Sequence, residues 1–176
     1  MHPALQLWNT NLRQLPSGDM LGPFTPVFAS NKPQGALWTS EAVRKWDGYS
    51  SAWIEWCHQN EFPLKEHNIL LQPDEDCRLV VIHTREDLLA MQHVEQPLFF
   101  LPDGRSGPVL RAIDFAAYAR SGFDGICVTE EAIFSCRDYD GRDSNFGTSD
   151  TLSFWDVPST CWFRTDHLRI VEETKN

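Results

Sequence analysis

Residues 32–57, KPQGALWTSEAVRKWDGYSSAWIEWC, constrain the fold of this chain more than any other stretch of the sequence. A proline and a glycine interrupt regular structure near its start, and the apolar run after them, which ends at Ser40, predicts a short buried strand. Ser40 is expected to cap a following helix, because Glu41 would then lie in the first turn, where the helix dipole favours a carboxylate. A second helix is predicted from Ser50, with Trp, Ile and Cys side chains crowding one side of it. Together the strand and the aromatic helix predict a wall suited to a flat ligand.

The length and composition predict a single folded domain that spans residues 1–176. Seven tryptophans and an apolar share of 41% are typical of a globular protein with a buried core. The net charge of −10 would repel nucleic acid at long range, so a nucleic-acid target would require a local basic patch. Because no apolar run approaches the length of a membrane span or resembles a signal peptide, the sequence predicts a cytoplasmic protein without a membrane partner.

The remaining apolar runs show both strand and helix patterns, which predicts a compact α+β domain. Strands are expected at residues 4–8, 36–40, 68–72, 77–83, 126–129, 160–163 and 168–171, and helices at residues 12–15, 85–93 and 113–119. Residues 77–83 are expected to form the central strand, because they include β-branched residues in a nearly continuous apolar run. Loops are expected at residues 95–108 and, as a flexible surface loop rich in charged residues, at 136–150.

No motif of a known catalytic class is present in the sequence, which lacks the GxSxG, P-loop, GxGxxG and HExxH patterns. The five cysteines are widely spaced, form no CxxC pair and have no histidine at ligand spacing. They are therefore predicted to be reduced thiols, and no metal site is expected.

The best candidates for a functional site are polar residues at the ends of predicted strands, next to aromatic residues. Asp156 lies between a tryptophan and a valine, and a carboxylate in an apolar stretch needs a partner. Ser40 and Glu131 are further candidates, because each lies at or just after the end of a predicted strand. Both also have a purely structural interpretation, Ser40 as a helix cap and Glu131 as a solvated residue in the first turn of a helix.

The order of these pieces resembles that of ADP-ribosyltransferase-type domains. Residues 10–18 precede an apolar strand that ends at Ser40, and residues 122–126, GFDGI, resemble a turn and strand that come later in that fold. The closing strand, residues 160–163, also resembles the end of the fold. Along most of the chain, the motifs KPxGxLWxS, WxxWC and WDxxS more closely resemble those of uncharacterised phage and prophage proteins.

The resemblance implies an α+β fold with a short-stranded, mostly antiparallel split sheet and two to four helices. It implies a mono-ADP-ribosyltransferase that transfers ADP-ribose from NAD to a protein or nucleic acid, as in a toxin or a phage–host conflict protein. NAD would be the substrate, no metal would take part, and a cognate antitoxin or inhibitor would be a further partner.

The resemblance also implies roles for individual residues. The residues that would bind NAD are Thr10, Asn11, Lys32, Trp38, Trp53 and Ser159. Either tryptophan would stack on the nicotinamide, and Ser40 would hydrogen-bond the ribose. Cleavage of the nicotinamide–ribose bond develops positive charge on the ribose, which the carboxylate of Asp156, or of Glu131 as its substitute, would stabilise.

The chain departs from the family pattern at two places. Ser159 or Thr160 stands near the position of the catalytic Glu, and residues 8–10 lack the Arg or His of the first strand. The missing Glu favours an alternative function, an acidic, non-enzymatic binding or inhibitor module of phage or prophage origin. A third alternative is a metal hydrolase that uses the aspartates at positions 138, 140 and 143.

Overall fold

The computed structural model of the protein describes residues 4–26, 31–97, 109–136, 152 and 155–175, which form eleven strands and four α-helices. The strands are β1 Gln6–Thr10, β2 Leu37–Glu41, β3 Val43–Lys45, β4 Gly48–Ser50, β5 His67–Pro73, β6 Leu79–Ile82, β7 His93–Pro97, β8 Val109–Ile113, β9 Gly125–Val128, β10 Ser159–Trp162 and β11 Leu168–Lys175. The helices are α1 Ala52–Gln59, α2 Arg85–Ala90, α3 Phe115–Arg120 and α4 Glu130–Ser135. This composition confirms the predicted α+β class and the predicted number of helices. None of the helices in the described part of the chain is long and apolar enough to cross a membrane.

Seven strands form the main sheet, in the order β11-β5-β1-β2-β10-β9-β6. Neighbouring strands in it are antiparallel except for β6 and β9, which run parallel. The pairs β3–β4 and β7–β8 form two further antiparallel ribbons. The prediction of a mostly antiparallel sheet is therefore confirmed.

β1 and β2 pair at one end only. Among the described residues, the only register partners between these two strands are Gln6 with Glu41 and Leu7 with Ser40. β1 instead pairs with β5 along its whole length, while the first half of β2 pairs with β10. The main sheet is therefore continuous at one end of this junction and opens at the other, and the opening positions the site described below.

Three clusters of buried apolar side chains hold the sheet and helices together. The largest includes Ile82, Leu88, Ile113, Phe115, Ile126, Val128, Ile133, Trp155 and Cys161. A second contains Trp8, Leu37, Ile69, Leu71, Trp162 and Leu168, and a third, which joins α1 to the sheet, contains Leu7, Ile54 and Leu70. Burial of side chains of this size contributes about 1.5–3 kcal/mol each relative to exposure, so these clusters fix the frame around the opening.

A chain of buried hydrogen bonds ties β1, β2 and β10 together. The indole Nε1 of Trp162 donates to Oγ1 of Thr39 over 2.8 Å, and that hydroxyl donates to Oε1 of Gln6 over 2.7 Å. All three residues are less than 10% exposed, so loss of any one of them would leave a buried polar group without its partner. These bonds hold the strands at the closed end of the junction.

A hairpin of β3 and β4 occupies residues that the sequence predicted as a helix beginning at Ser40. β2 continues through Ser40 to Glu41, and the guanidinium of Arg44 in β3 lies 5.0 Å from the ring centroid of Tyr49 in β4. Ser40 and Glu41 pair with Leu7 and Gln6 of β1, and this pairing extends β2 through the position that the capping pattern marked as the start of a helix. The prediction that Ser40 caps a helix is therefore wrong, whereas the helix predicted from position 50 is present as α1.

β6 lies at the edge of the main sheet, although residues 77–83 were predicted to form its central strand. Among the described residues β6 pairs with β9 alone, and Val81 is 40% exposed. β6 is apolar because one of its faces is buried, where Ile82 belongs to the largest cluster.

Two other predictions also differ from the structure. The helix predicted at residues 12–15 is absent from the described structure, and residues 95–97, predicted as loop, belong to β7. Residues 98–108 and 137–150 lie outside the described residues.

Candidate functional site

A cleft of about 460 Å³ lies where β1 and β2 separate. Leu7 and Asn9 of β1 and Trp38 and Ser40 of β2 lie on one face of the sheet, because side chains alternate along a strand and Leu7 pairs with Ser40. All four residues line the cleft. The other lining residues are Trp8, Pro16, Leu21, Lys32, Ala36, Leu37, Thr39, Trp53, Phe62, Pro63, Lys65, Trp155, Asp156, Val157 and Ser159. This volume is within the range of roughly 300–1,000 Å³ that is typical of small-molecule sites.

One side of the cleft is built from aromatic residues of α1 and the segment that follows it. Trp53 and Trp56 stack with ring centroids 5.2 Å apart and an interplanar angle of 12°. Phe62 packs against both rings, at centroid distances of 5.8 and 5.7 Å. The hydroxyl of Ser51 caps α1 by accepting a hydrogen bond from the amide of Ile54, which fixes the start of the helix. Trp53 and Phe62 therefore present flat apolar surfaces to the cleft.

The segment from Phe62 to Lys65 is fastened to β1 by Asn9. Oδ1 of Asn9 accepts a hydrogen bond from the amide of Lys65 over 2.9 Å, and Nδ2 of Asn9 donates one to Oδ1 of Asn68 over 2.9 Å. The Asn9 side chain therefore has a structural role. It also brings Lys65 to the cleft.

Another part of the cleft lining is a cluster of two tryptophans, a lysine and an aspartate. Trp38 and Trp155 meet edge to face with centroids 4.9 Å apart. Nζ of Lys32 lies 5.4 Å from the centroid of the Trp38 ring and 3.6 Å from Oδ2 of Asp156. The prediction that the carboxylate of Asp156 needs a partner is thus met by Lys32.

The described lining of the cleft carries a net positive charge within an acidic protein. Its charged residues are Lys32, Lys65 and Asp156, which leaves one net positive charge among the described lining residues, whereas the whole chain carries −10. Low-dielectric walls of aromatic side chains strengthen the field of such charges in a cleft. The cleft therefore favours a ligand that is both aromatic and anionic.

Most of the predicted site residues line this cleft. They are Lys32, Trp38, Ser40, Trp53, Asp156 and Ser159. Ser40 is only 2% exposed. The hydroxyl of Ser159 donates to the carbonyl of Val157 over 2.9 Å. The Ser159 hydroxyl is therefore already engaged by the main chain.

The other predicted residues, Thr10, Asn11 and Glu131, are not part of the cleft lining. The hydroxyl of Thr10 accepts a hydrogen bond from the amide of Leu12, and Oδ1 of Asn11 accepts one from the amide of Glu66. Glu131 is exposed in the first turn of α4, which agrees with its structural interpretation. Thr10 and Asn11 thus fasten the chain after β1.

Several lining residues had not been predicted, notably Asn9, Phe62, Lys65 and Trp155. Trp155 could have been found, because it directly precedes Asp156 in the WDxxS motif. Lys65 could not, because its place depends on a hydrogen bond to a residue 56 positions earlier in the chain.

The described residues supply no metal site, and the thiols of Cys77 and Cys161 are not activated. Among them, no group of three or more His, Cys, Asp or Glu could hold a metal ion. The aspartates at positions 138, 140 and 143 lie outside the described residues. Burial raises the pKa of the Cys161 thiol to about 12, and burial, helped by nearby Asp124 and Asp74, does the same for Cys77. A thiolate nucleophile at either position is thereby disfavoured.

No protein-family model, no curated protein and no solved structure matches this chain at a significant level. The chemistry of the site therefore follows from its own residues and geometry.

Proposed function

We propose that the protein is a mono-ADP-ribosyltransferase that binds NAD in the cleft and transfers ADP-ribose to a macromolecular target. The observation that carries the proposal is the Lys32–Asp156 pair beside Trp38, in a cleft at the opening between β1 and β2. An opening in a mostly antiparallel sheet is also what the resemblance to ADP-ribosyltransferase domains implies.

The chemistry of NAD matches the lining of the cleft. NAD combines flat aromatic rings with a diphosphate, and the cleft combines exposed faces of Trp and Phe side chains with two lysines. Trp38 or Trp53 stacks on the nicotinamide ring, which is attractive because the ring is cationic. Lys32 and Lys65 balance the charge of the diphosphate.

Asp156 supplies the carboxylate that stabilises the transition state of the reaction. The bond between the ribose C1′ and the nicotinamide nitrogen breaks, its electron pair leaves with nicotinamide, and positive charge develops on the ribose. A fixed carboxylate stabilises this charge, and Asp156 is the only carboxylate among the described lining residues. A nucleophilic group of the target then forms the new bond to C1′ and loses its proton to solvent. The hydroxyl of Ser40, which lines the cleft, hydrogen-bonds the ribose and so orients it.

The experiment compares nicotinamide release from NAD by the unaltered chain, Asp156→Asn and Asp166→Asn. Asp156→Asn is expected to lower kcat about 100-fold without raising KM, because it removes charge stabilisation in the transition state. Asp166→Asn, an identical change at an exposed residue outside the cleft, is expected to behave as the unaltered chain. Equal activity of all three proteins would show that Asp156 has no part in catalysis.

A second candidate function is a non-enzymatic binding module. It is favoured by the residues at the start of β10, since Ser159 and Thr160 stand there in place of a glutamate. Such a module would still bind an aromatic anion in the cleft but would release no nicotinamide. The same assay therefore separates the two functions.

A further inference from the structure

The pairing of Lys32 with Asp156 is enforced by the residues that precede them. The indole Nε1 of Trp155 donates a hydrogen bond to the backbone carbonyl of Asn31. Asn31 is itself 4% exposed, and its Oδ1 accepts a hydrogen bond from the amide of Ile113 over 2.8 Å. Because Asn31 and Trp155 are fixed against each other, the next residue of each segment, Lys32 and Asp156, is brought alongside the other.

The ion pair itself is easily exchanged. The side chains of Lys32 and Asp156 are 35% and 41% exposed, and their charged atoms are 3.6 Å apart. Partly exposed pairs of this kind contribute little stability, because solvent competes with the partner. A diphosphate carries more charge and more acceptor oxygens than one carboxylate, so it is the stronger partner for the ammonium group of Lys32.

We propose that the Lys32–Asp156 pair is a latch that the diphosphate of the ligand opens. In the free protein Lys32 forms an ion pair with Asp156, and in the complex Lys32 binds the diphosphate and no longer neutralises the carboxylate beside the ribose. The inference rests on the proposed function and adds to it a regulation of the site, because Lys32 releases the carboxylate only when the correct ligand is bound. A ligand without a diphosphate would leave the latch closed.

The test measures the affinity of the full chain for ADP-ribose, which carries the diphosphate but no nicotinamide, by tryptophan emission. The proteins compared are the unaltered chain, Asp156→Asn, Lys32→Met, the double variant and Asp166→Asn as a control of equal charge change. The latch predicts that Asp156→Asn tightens binding about two- to fivefold, as expected for loss of competition from a partly exposed ion pair. In the Lys32→Met background the same change is expected to have no effect, because no latch remains.

Two results of this cycle would overturn the latch. If Asp156→Asn tightens binding equally in both backgrounds, Asp156 acts by general repulsion of the diphosphate. If Asp156→Asn does not tighten binding in the background with Lys32, the ion pair does not compete with the ligand. A structure of the ADP-ribose complex gives an independent readout, in which Nζ of Lys32 is expected on a diphosphate oxygen and away from Asp156. An intact ion pair in that complex would overturn the latch even if the Lys32→Met variants bind too weakly for measurement.

Failure of the latch and failure of the transferase function give different results. If nicotinamide is released but the effects of the Lys32 and Asp156 substitutions on binding are not coupled, the latch alone is refuted. If these effects are coupled in ADP-ribose binding but no nicotinamide is released, the transferase function alone is refuted. If the folded protein does not bind ADP-ribose, both are refuted.

Discussion

Gly35 is the residue of the KPxGxLWxS motif whose identity the backbone requires. Its φ of +75° is rarely adopted by other residues, and a Cβ at this position would lie 2.2 Å from the carbonyl oxygen of Gly22. The amide of Gly22 in turn donates to the carbonyl of Gly35 over 2.9 Å. The glycine thus allows two segments to meet closely just before β2 and beside the cleft.

Gly35→Ala is therefore expected to lower the free energy of unfolding by about 2–4 kcal/mol, through backbone strain and a clash with main-chain atoms. Urea unfolding followed by tryptophan emission measures this difference. The matched control is Gly18→Ala, where an added Cβ meets nothing within 4 Å. The control is expected to change stability by less than about 0.5 kcal/mol, and equal effects of the two substitutions would refute the proposed close contact.

The thiols of Cys77 and Cys161 are expected to be unreactive in the folded protein. Burial raises the pKa of each to about 12, and at Cys77 the nearby carboxylates of Asp124 and Asp74 add to the effect. At pH 8 a thiol with such a pKa is only about one part in 10⁴ thiolate, which is the reactive form. Reaction of these two thiols with a disulfide reagent at pH 8 should therefore be at least about 100-fold slower than for a free thiol, until urea exposes all five cysteines. Reaction of either thiol at the free rate in the folded protein would restore it as a candidate nucleophile.

At the scale of elements, the capping box of α2 makes part of the stability pH-dependent. Oδ2 of Asp87 accepts hydrogen bonds from the amides of His83 and Thr84, at 2.9 and 3.0 Å, and these bonds lower the pKa of the carboxyl. A lowered pKa in the folded state means that the stabilisation is complete above the unfolded value of about 3.9. It is lost as the pH falls through the folded pKa.

The variant Asp87→Asn is accordingly expected to be less stable than the unaltered chain at pH 7, with a difference that disappears toward pH 2. Thermal unfolding between pH 2 and pH 7 measures it. Glu86→Gln removes a charge from the same helical turn without touching either hydrogen bond and serves as the control. If both variants lose stability equally, the helix dipole and not the capping box is responsible.

The sequence predicted those elements whose pattern is local. β5 and β9 are apolar runs of strand length, and the aromatic side of α1 appears at helical spacing, so each was found near its true position. The β3–β4 hairpin was missed, because Ser40 and Glu41 match a helix cap as well as they match the end of a strand. Only pairing with β1 and β10 decides between these two structures, and a single sequence does not contain that information.

At the scale of the whole molecule, the cleft depends on which strands pair. Trp38, Ser40 and Asp156 could be selected from their local context, because polar groups beside aromatic ones at strand ends are unusual. Thr10 and Asn11 were selected by order in the chain, but the continuation of β1 along β5 directs them to structural hydrogen bonds outside the cleft. Thr10 and Asn11 were wrongly assigned to the site, and Lys65 was missed, for the same reason. The position of all three residues depends on contacts between distant parts of the chain.

Titration of the purified protein with NAD, with tryptophan emission and released nicotinamide followed together, tests the central claim most directly. Trp38, Trp53 and Trp155 line the cleft, so a bound nicotinamide is expected to quench emission in a saturable way. Quenching with release of nicotinamide is the predicted result. Neither quenching nor release, in a protein shown by circular dichroism to be folded, would contradict the claim that this cleft binds and consumes NAD.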